Sequence, residues 1–158
     1  MLMRGVHVHR VDVRFGDCDP AGIVYFPRFF DLFHQAMETW FAAGLGLAYA
    51  SLIVDRKIGF PAVHSEADFK APCALGETIE VELRVARLGR SSIGLEYVVR
   101  GVAGDIRLTG ATTSVVMDLD PASPGFRRGL PIPDDLRARI QRFMAGDGDG
   151  DEPVPGDI

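Results

Sequence analysis

Cysteine is scarce in this chain. Cys18 and Cys73 are the only two in 158 residues, and they form no CxxC pair and no metal-ligand spacing. A disulfide scaffold is therefore excluded, and two free thiols in a reducing compartment are expected. No run of about 18 apolar residues occurs, so no membrane-spanning helix is expected. The first ten residues alternate polar with apolar and lack the apolar stretch of a leader, which predicts a cytoplasmic protein. A basic excess is also missing: 17 Lys and Arg stand against 22 Asp and Glu. Five of those acids (Asp147, Asp149, Asp151, Glu152, Asp157) lie in the segment 146–158, which holds no base, leaving 17 charges of each sign over residues 1–145. A neutral body with an acidic tail argues against nucleic acid as the main partner, while leaving room for a small basic patch that meets a phosphorylated ligand. The Asp-x-Asp-x-Asp spacing of the tail lacks the Glu that closes a calcium loop, and no metal site is expected.

What is present reads as one domain over residues 1–145, followed by an acidic Gly/Asp/Pro tail, 146–158, expected to be disordered. Residues 6–15 place Val6, Val8, Val11, Val13 and Phe15 among polar residues with one slip of phase at His9-Arg10, which predicts a half-buried strand with a bulge. Gly16 to Gly22 is a loop. From Pro27, suited to a first helical turn, to about Ala43 the period is helical. Phe30, Phe33, Met37, Trp40, Phe41 and Gly44 share a stripe that Phe29 and Leu32 widen, so this helix is mostly buried. Gly44-Leu45-Gly46 ends it, and a shorter helix is expected over 47–55. Strands are predicted over 61–70, 77–88, 92–101 and 106–117, the last three joined by tight turns as an antiparallel meander. A final helix over 134–144 is expected, capped by Asp134. The burial pattern calls for an α+β fold in which one long antiparallel sheet curls around a central apolar helix. The exposed edge of such a sheet predicts edge-to-edge pairing of two copies.

Chemistry concentrates in residues 14–27, RFGDCDPAGIVYFP. Asp17 and Asp19 sit in a loop that feeds a helix N-terminus, where unpaired N–H groups and the positive end of the dipole can hold a developing oxyanion. A carboxylate beside such a donor can attack a carbonyl or activate water. An Asp in a turn also serves as a cap or an Asx-turn, and the spacing alone leaves both roles open.

The stretch FGDCDPAGIVYFP resembles the active-site segment of the hotdog-fold acyl-CoA thioesterases, specifically the 4-hydroxybenzoyl-CoA thioesterase family. The resemblance covers residues 8 to 120 and includes FKAPCALGETIEVELRVARLGRSS. It implies the hotdog fold, a curled antiparallel sheet wrapped around a long helix. It also implies hydrolysis of an acyl-CoA thioester to free acid and coenzyme A, with no metal or organic cofactor beyond the coenzyme A of the substrate. Asp19, before Pro20, matches the catalytic carboxylate, used in the family as nucleophile or general base. The backbone N–H of Phe26 matches the group that polarises the thioester carbonyl. Tyr49, Phe60, Pro61 and Ala62 match positions lining the acyl pocket. Arg90 matches a basic position that contacts the coenzyme A phosphates, with Ser91 and Arg87 beside it. Asp17 matches a non-catalytic acid of the motif and reads as a loop organiser. Branches of the family carry His or Tyr where this chain has Phe26; a backbone donor survives that change and a side-chain donor does not. The acyl group is left open between an aromatic one, such as 4-hydroxybenzoyl or benzoyl, and a short or medium aliphatic chain. A homodimer or homotetramer with active sites at the dimer interface is implied. A non-hydrolytic acyl-CoA-binding module of the same fold is the alternative, and a dehydratase built on His64 and Glu38 is a third possibility. His7 and His9, spaced on one strand face, and Cys18 are the remaining candidates for a metal ligand and a nucleophile.

Overall fold

The computed structural model describes residues 4–146; the acidic tail expected to be disordered lies outside the described residues from position 147 on. Strands β1 (His7–Asp12), β3 (Ala62–Phe69), β4 (Thr78–Leu88), β5 (Ser92–Gly101) and β6 (Ile106–Val115) form one antiparallel sheet in the order β1-β4-β5-β6-β3. Helix α1 (Arg28–Thr39) lies across one face of it. The two periodicities explain the union. Period-two alternation turns Ile79, Val81, Leu83, Leu95, Tyr97, Val99 and Leu108 to one side, and the helical stripe offers Phe29, Leu32, Phe33, Ala36 and Met37 in return, all buried. This is the hotdog arrangement that the sequence predicts. Among the described residues no helix is long and apolar enough to cross a membrane.

Beyond Thr39 the helix widens into a π-type turn over Trp40–Gly44 and stops at Gly46, whose φ of +67° continues no helix. Gly44 has a steric reason to be glycine: a Cβ there would stand 2.6 Å from Cδ1 of the buried Trp40. Helix α2 (Asp134–Ala145) closes this end, with Phe143 edge-on to Trp40 at 5.5 Å between ring centroids. A second, two-residue ladder joins β2 (Ile58–Gly59) to β7 (Met117–Asp118); segments this short carry too little periodicity to be seen in a sequence.

The structure corrects several expectations. The phase slip in the first strand is no bulge: β1 runs in unbroken register from His7 opposite Leu83 to Asp12 opposite Thr78. His7 and His9 share the inward side with Val11, and Val8 faces out, 44% exposed. The imidazoles are accommodated because both meet the hydroxyl of Thr39, His7 Nε2 at 2.8 Å and His9 Nδ1 at 3.3 Å. Register shifts fall instead at Val85/Arg87, Ala62/His64 and Val99/Arg100. Phe30 is only half-buried. The residue capping α2 is Pro133, and Asp134 starts the first turn without a side-chain cap bond. There its charge, like that of Asp135, faces the positive end of the dipole. Strand β3 forms a sheet edge and is exposed at every position but Ala67.

Candidate active site

The loop between β1 and α1 folds back on itself. Phe15–Asp17 makes one 3-10 turn, Cys18 bridges to Val24, and Asp19 N–H donates to the carbonyl of Ile23 at 3.0 Å. The carbonyl of Asp19 accepts from Gly22 N–H at 3.0 Å, and its Oδ1 from Ala21 N–H at 2.8 Å. Asp19 therefore makes an Asx-turn, the structural role that its residue type suggests, and keeps Oδ2 without a hydrogen bond among the described residues. Gly22 sits at φ +77° with open space around it, so backbone conformation and not crowding requires glycine there.

Asp19 lines a cavity of about 400 Å³ with Phe15, Cys18, Pro20, Gly22 and Leu75. The wall is mostly apolar and open: Phe15 is 84% exposed and Leu75 48%. Phe26, seven residues after Asp19 and not among the residues lining that cavity, stands where the chain turns into α1. Arg28 N–H donates to Tyr25 and Phe29 N–H to Phe26, while the N–H of Phe26 makes no hydrogen bond among the described residues. Phe26 stands in the turn just before the cap residue Pro27, so this free N–H lies next to the positive end of the helix dipole. The ring of Phe26 is 59% exposed and meets Tyr25 at 5.5 Å and Phe69 at 6.4 Å between centroids.

Residues 71–77 brace the loop from behind. Val24 N–H donates to Cys73 at 2.8 Å, Leu75 N–H to Gly22 at 2.9 Å, and Val13 N–H to Glu77 at 2.8 Å. Arg107 fastens this brace: it forks onto Glu77 at 2.9 and 3.0 Å, reaches the Pro72 carbonyl at 2.7 Å and pairs with Asp105. These bonds hold the Glu77 carboxyl below its usual range and raise the Arg107 guanidinium. Sequence reasoning missed Arg107 and Glu77, and thirty residues of separation between them leave no local signal to find.

Cys18 sits between the two acids with its thiol toward the Arg14 carbonyl at 3.5 Å. Desolvation, and then the charges of Asp17 and Asp19, push that thiol up, which keeps it protonated and a poor nucleophile. His64 lies exposed on the sheet edge, 3.2 Å from Glu66.

The positions matched to the acyl pocket gather elsewhere in the chain. Tyr49 packs on Phe41 at 5.3 Å, on Phe60 at 5.9 Å and edge-on to His34 at 5.7 Å. Burial and, behind it, Glu38 push its phenol up. Phe41 follows Phe26 by fifteen residues of largely helical chain, roughly 20 Å along the axis, so this group and Asp19 mark opposite ends of the helix. Pro61 and Ala62 lead into edge strand β3. Arg90 and Ser91 form the β4–β5 turn; Arg90 is exposed, and its carbonyl accepts from Ile132 N–H at 2.8 Å and from Arg137 at 3.1 Å. None of these six residues lines the cavity at Asp19.

Residues 13–140 match the profile of the thioesterase-like superfamily. A 1,4-dihydroxy-2-naphthoyl-CoA hydrolase of Synechococcus elongatus is 40% identical over 86 residues, 54% of this chain and 62% of the relative, so the match spans under two thirds of that protein. Among solved structures, a 1,4-dihydroxy-2-naphthoyl-CoA thioesterase from Synechocystis is 25% identical with a TM-score of 0.75, covering 94% of this chain and 100% of that one. A gentisyl-coenzyme A thioesterase is 30% identical with a TM-score of 0.72, covering 82% and 98%. With more than half of its length inside the profile, and with the curled sheet around a central helix, this chain belongs to the thioesterase-like superfamily.

Proposed function

We propose that the protein hydrolyses an aromatic acyl-CoA thioester, with 1,4-dihydroxy-2-naphthoyl-CoA the first substrate to try. The observation that carries this reading is the pairing at one loop: a carboxylate with a free oxygen in an apolar-walled cavity, and, where the same loop enters the helix, an unbonded backbone N–H. The relatives named above support the aromatic acyl group, since dihydroxynaphthoyl and gentisyl are both hydroxylated aryl acyls.

In this reading the thioester oxygen rests on Phe26 N–H, which stabilises the charge that develops as the carbonyl carbon becomes tetrahedral. Asp19 takes one of two parts. As nucleophile, its oxygen bonds to the carbonyl carbon, the C–S bond breaks, the thiolate leaves and takes a proton from water, and a second water hydrolyses the mixed anhydride. As general base, it removes a proton from the attacking water and passes it to the departing thiolate. A thiolate leaves readily, so neither route needs a strong general acid or a metal. Single turnover in heavy-oxygen water tests the nucleophilic route: label in the Asp19 carboxylate requires a mixed anhydride that water opens at the Asp19 carbonyl, and general base catalysis never places it there.

The distance between Asp19 and the pocket aromatics is the argument for a shared site. If the exposed edge β3 pairs antiparallel with the same strand of a second copy, the start of one strand meets the end of the other. Pro61 and Ala62 of the second copy then stand beside Phe69, which packs on Phe26 and, at 5.8 Å, on Phe29. A homodimer, or a tetramer built from it, would complete each acyl pocket in this way, with Tyr49 and Phe60 lining it and Arg90 and Ser91 receiving the coenzyme A phosphates. The test is thiol release across a panel of dihydroxynaphthoyl, 4-hydroxybenzoyl, benzoyl, acetyl, hexanoyl and palmitoyl CoA, with Asp19→Asn alongside. Turnover of an aryl-CoA that Asp19→Asn abolishes supports hydrolysis. Acyl-CoAs that raise the Tm without turnover favour the second reading, a binding module of the same fold.

A further inference from the structure

We infer that Arg28, acting through Asp17, is a positioning residue that sets the Asp19 carboxylate against the Phe26 N–H. The inference rests on the thioesterase reading for its kinetic consequence, and on hydrogen bonds alone for its structural one.

Asp17 is the hub of the loop. Its N–H donates to the Arg14 carbonyl at 2.9 Å, and its Oδ2 accepts from Arg14 N–H at 2.9 Å. Its carbonyl accepts from Tyr25 N–H at 2.9 Å, and its Oδ1 accepts from Arg28 Nε at 2.9 Å. One residue therefore ties the entry of the loop, its exit and the first turn of α1. Asp19 follows Asp17 by two residues and Phe26 follows Tyr25 by one. The carboxylate and the oxyanion donor both take their positions from this hub.

The hub depends on a cation. The Asp17 side chain is 10% exposed, and a carboxylate so buried needs a partner for its charge. Arg28 is the only cation within 4.0 Å of it among the described residues. The guanidinium also meets Asp31, Nη1 to Oδ2 at 3.3 Å, and Asp31 accepts from Gln35 at 2.8 Å. The line Gln35, Asp31, Arg28, Asp17 runs down the flank of the helix into the loop. A lysine could bring charge to this place but not a fork that faces two carboxylates in fixed directions. Arg28 does not line the cavity, so its effect on substrate is indirect.

The test uses Arg28→Met, Arg28→Lys, Asp17→Asn and the double variant, each measured on the aryl-CoA that the unaltered protein turns over fastest. A displacement of about 1 Å at a catalytic group costs on the order of 10²-fold. Arg28→Met is expected to lower kcat roughly 10- to 100-fold with KM changed less than about threefold, and Arg28→Lys to recover part of the loss. In the Asp17→Asn background, Arg28→Met is expected to cost less than about twofold more, because the two act as one unit. A rise in KM alone, full additivity with Asp17→Asn, or unchanged kcat overturns the inference. Amide hydrogen exchange supplies a readout free of activity. Arg28→Met, or Arg28→Lys should the first variant fail to fold, is expected to speed exchange at Tyr25 and Arg14 while the sheet stays protected. If no acyl-CoA is turned over, the thioesterase reading falls, and exchange alone decides the clamp: faster exchange at Tyr25 upholds it, and unchanged exchange overturns it.

Discussion

Phe33 of the central helix stacks on Tyr97 of β5 with 4.3 Å between ring centroids and planes 10° from parallel. The ring fits because β6 has glycine opposite Tyr97: a Cβ on Gly110 would lie 2.5 Å from the Phe33 ring. Gly110→Ala is therefore expected to destabilise by about 1–3 kcal/mol, the usual cost of overpacking a core. Urea denaturation should show a lower midpoint with an unchanged slope. An unchanged midpoint would mean that the helix can lift off the sheet at no cost.

Asp19→Asn is expected to reduce hydrolysis by on the order of 10²–10⁴-fold, the range for a positioned acid or base. The exposed loop should keep its fold, since an asparagine Oδ1 can still accept from Ala21 N–H. The check pairs kcat/KM with Tm. A fall in activity matched by a fall in Tm would count against a chemical role.

His7 gives the protein a dependence on pH. Burial, and behind it the neighbouring His9, hold its imidazole down from 6.5 to about 4. The folded state thus binds this proton more weakly than the unfolded chain does. The stability from neutral His7 is complete above about pH 6.5 and drains away as pH falls toward about 4. The Tm should drop across that window, and His7→Gln, which keeps a donor for Thr39 Oγ1, should flatten the drop. A Tm profile identical in both proteins would remove His7 as the cause.

Arg107→Met leaves the Pro72 carbonyl without its donor and Glu77 without its cation, with only the bond from Ala74 N–H remaining to the carboxylate. Hydrogen bonds to charged groups are worth about 1.5–3 kcal/mol, and a loss near the low end is expected because Glu77 is partly exposed. Since the brace behind Asp19 hangs on this arginine, activity should fall by more than Tm loss explains. Measuring both at a temperature well below Tm makes the distinction.

Much of the fold is legible in the residues themselves. The greasy stripe from Phe29 to Phe41 demands a helix covered on a wide face, and the alternation from Ile79 to Val99 demands a sheet with one apolar side; little else satisfies both at this length. The loop motif around Asp19 is legible too, because its glycine and its helix entry are local in sequence. The valines of β1 misled about phase, since tertiary hydrogen bonds to Thr39 let two histidines take the inner face.

By itself, then, the sequence determined which residues are apolar at which period, where the chain must turn, and that Asp19 sits in a loop that feeds a helix. Short-range spacing carries all three. Only the tertiary structure decided what holds that carboxylate in place. Arg28 meets Asp17 across eleven residues, Arg107 meets Glu77 across thirty, and Phe33 meets Gly110 across the core. Such partners are brought together by folding and leave no periodic trace, because a hydrogen bond depends on position in space to a few tenths of an ångström and not on distance along the chain.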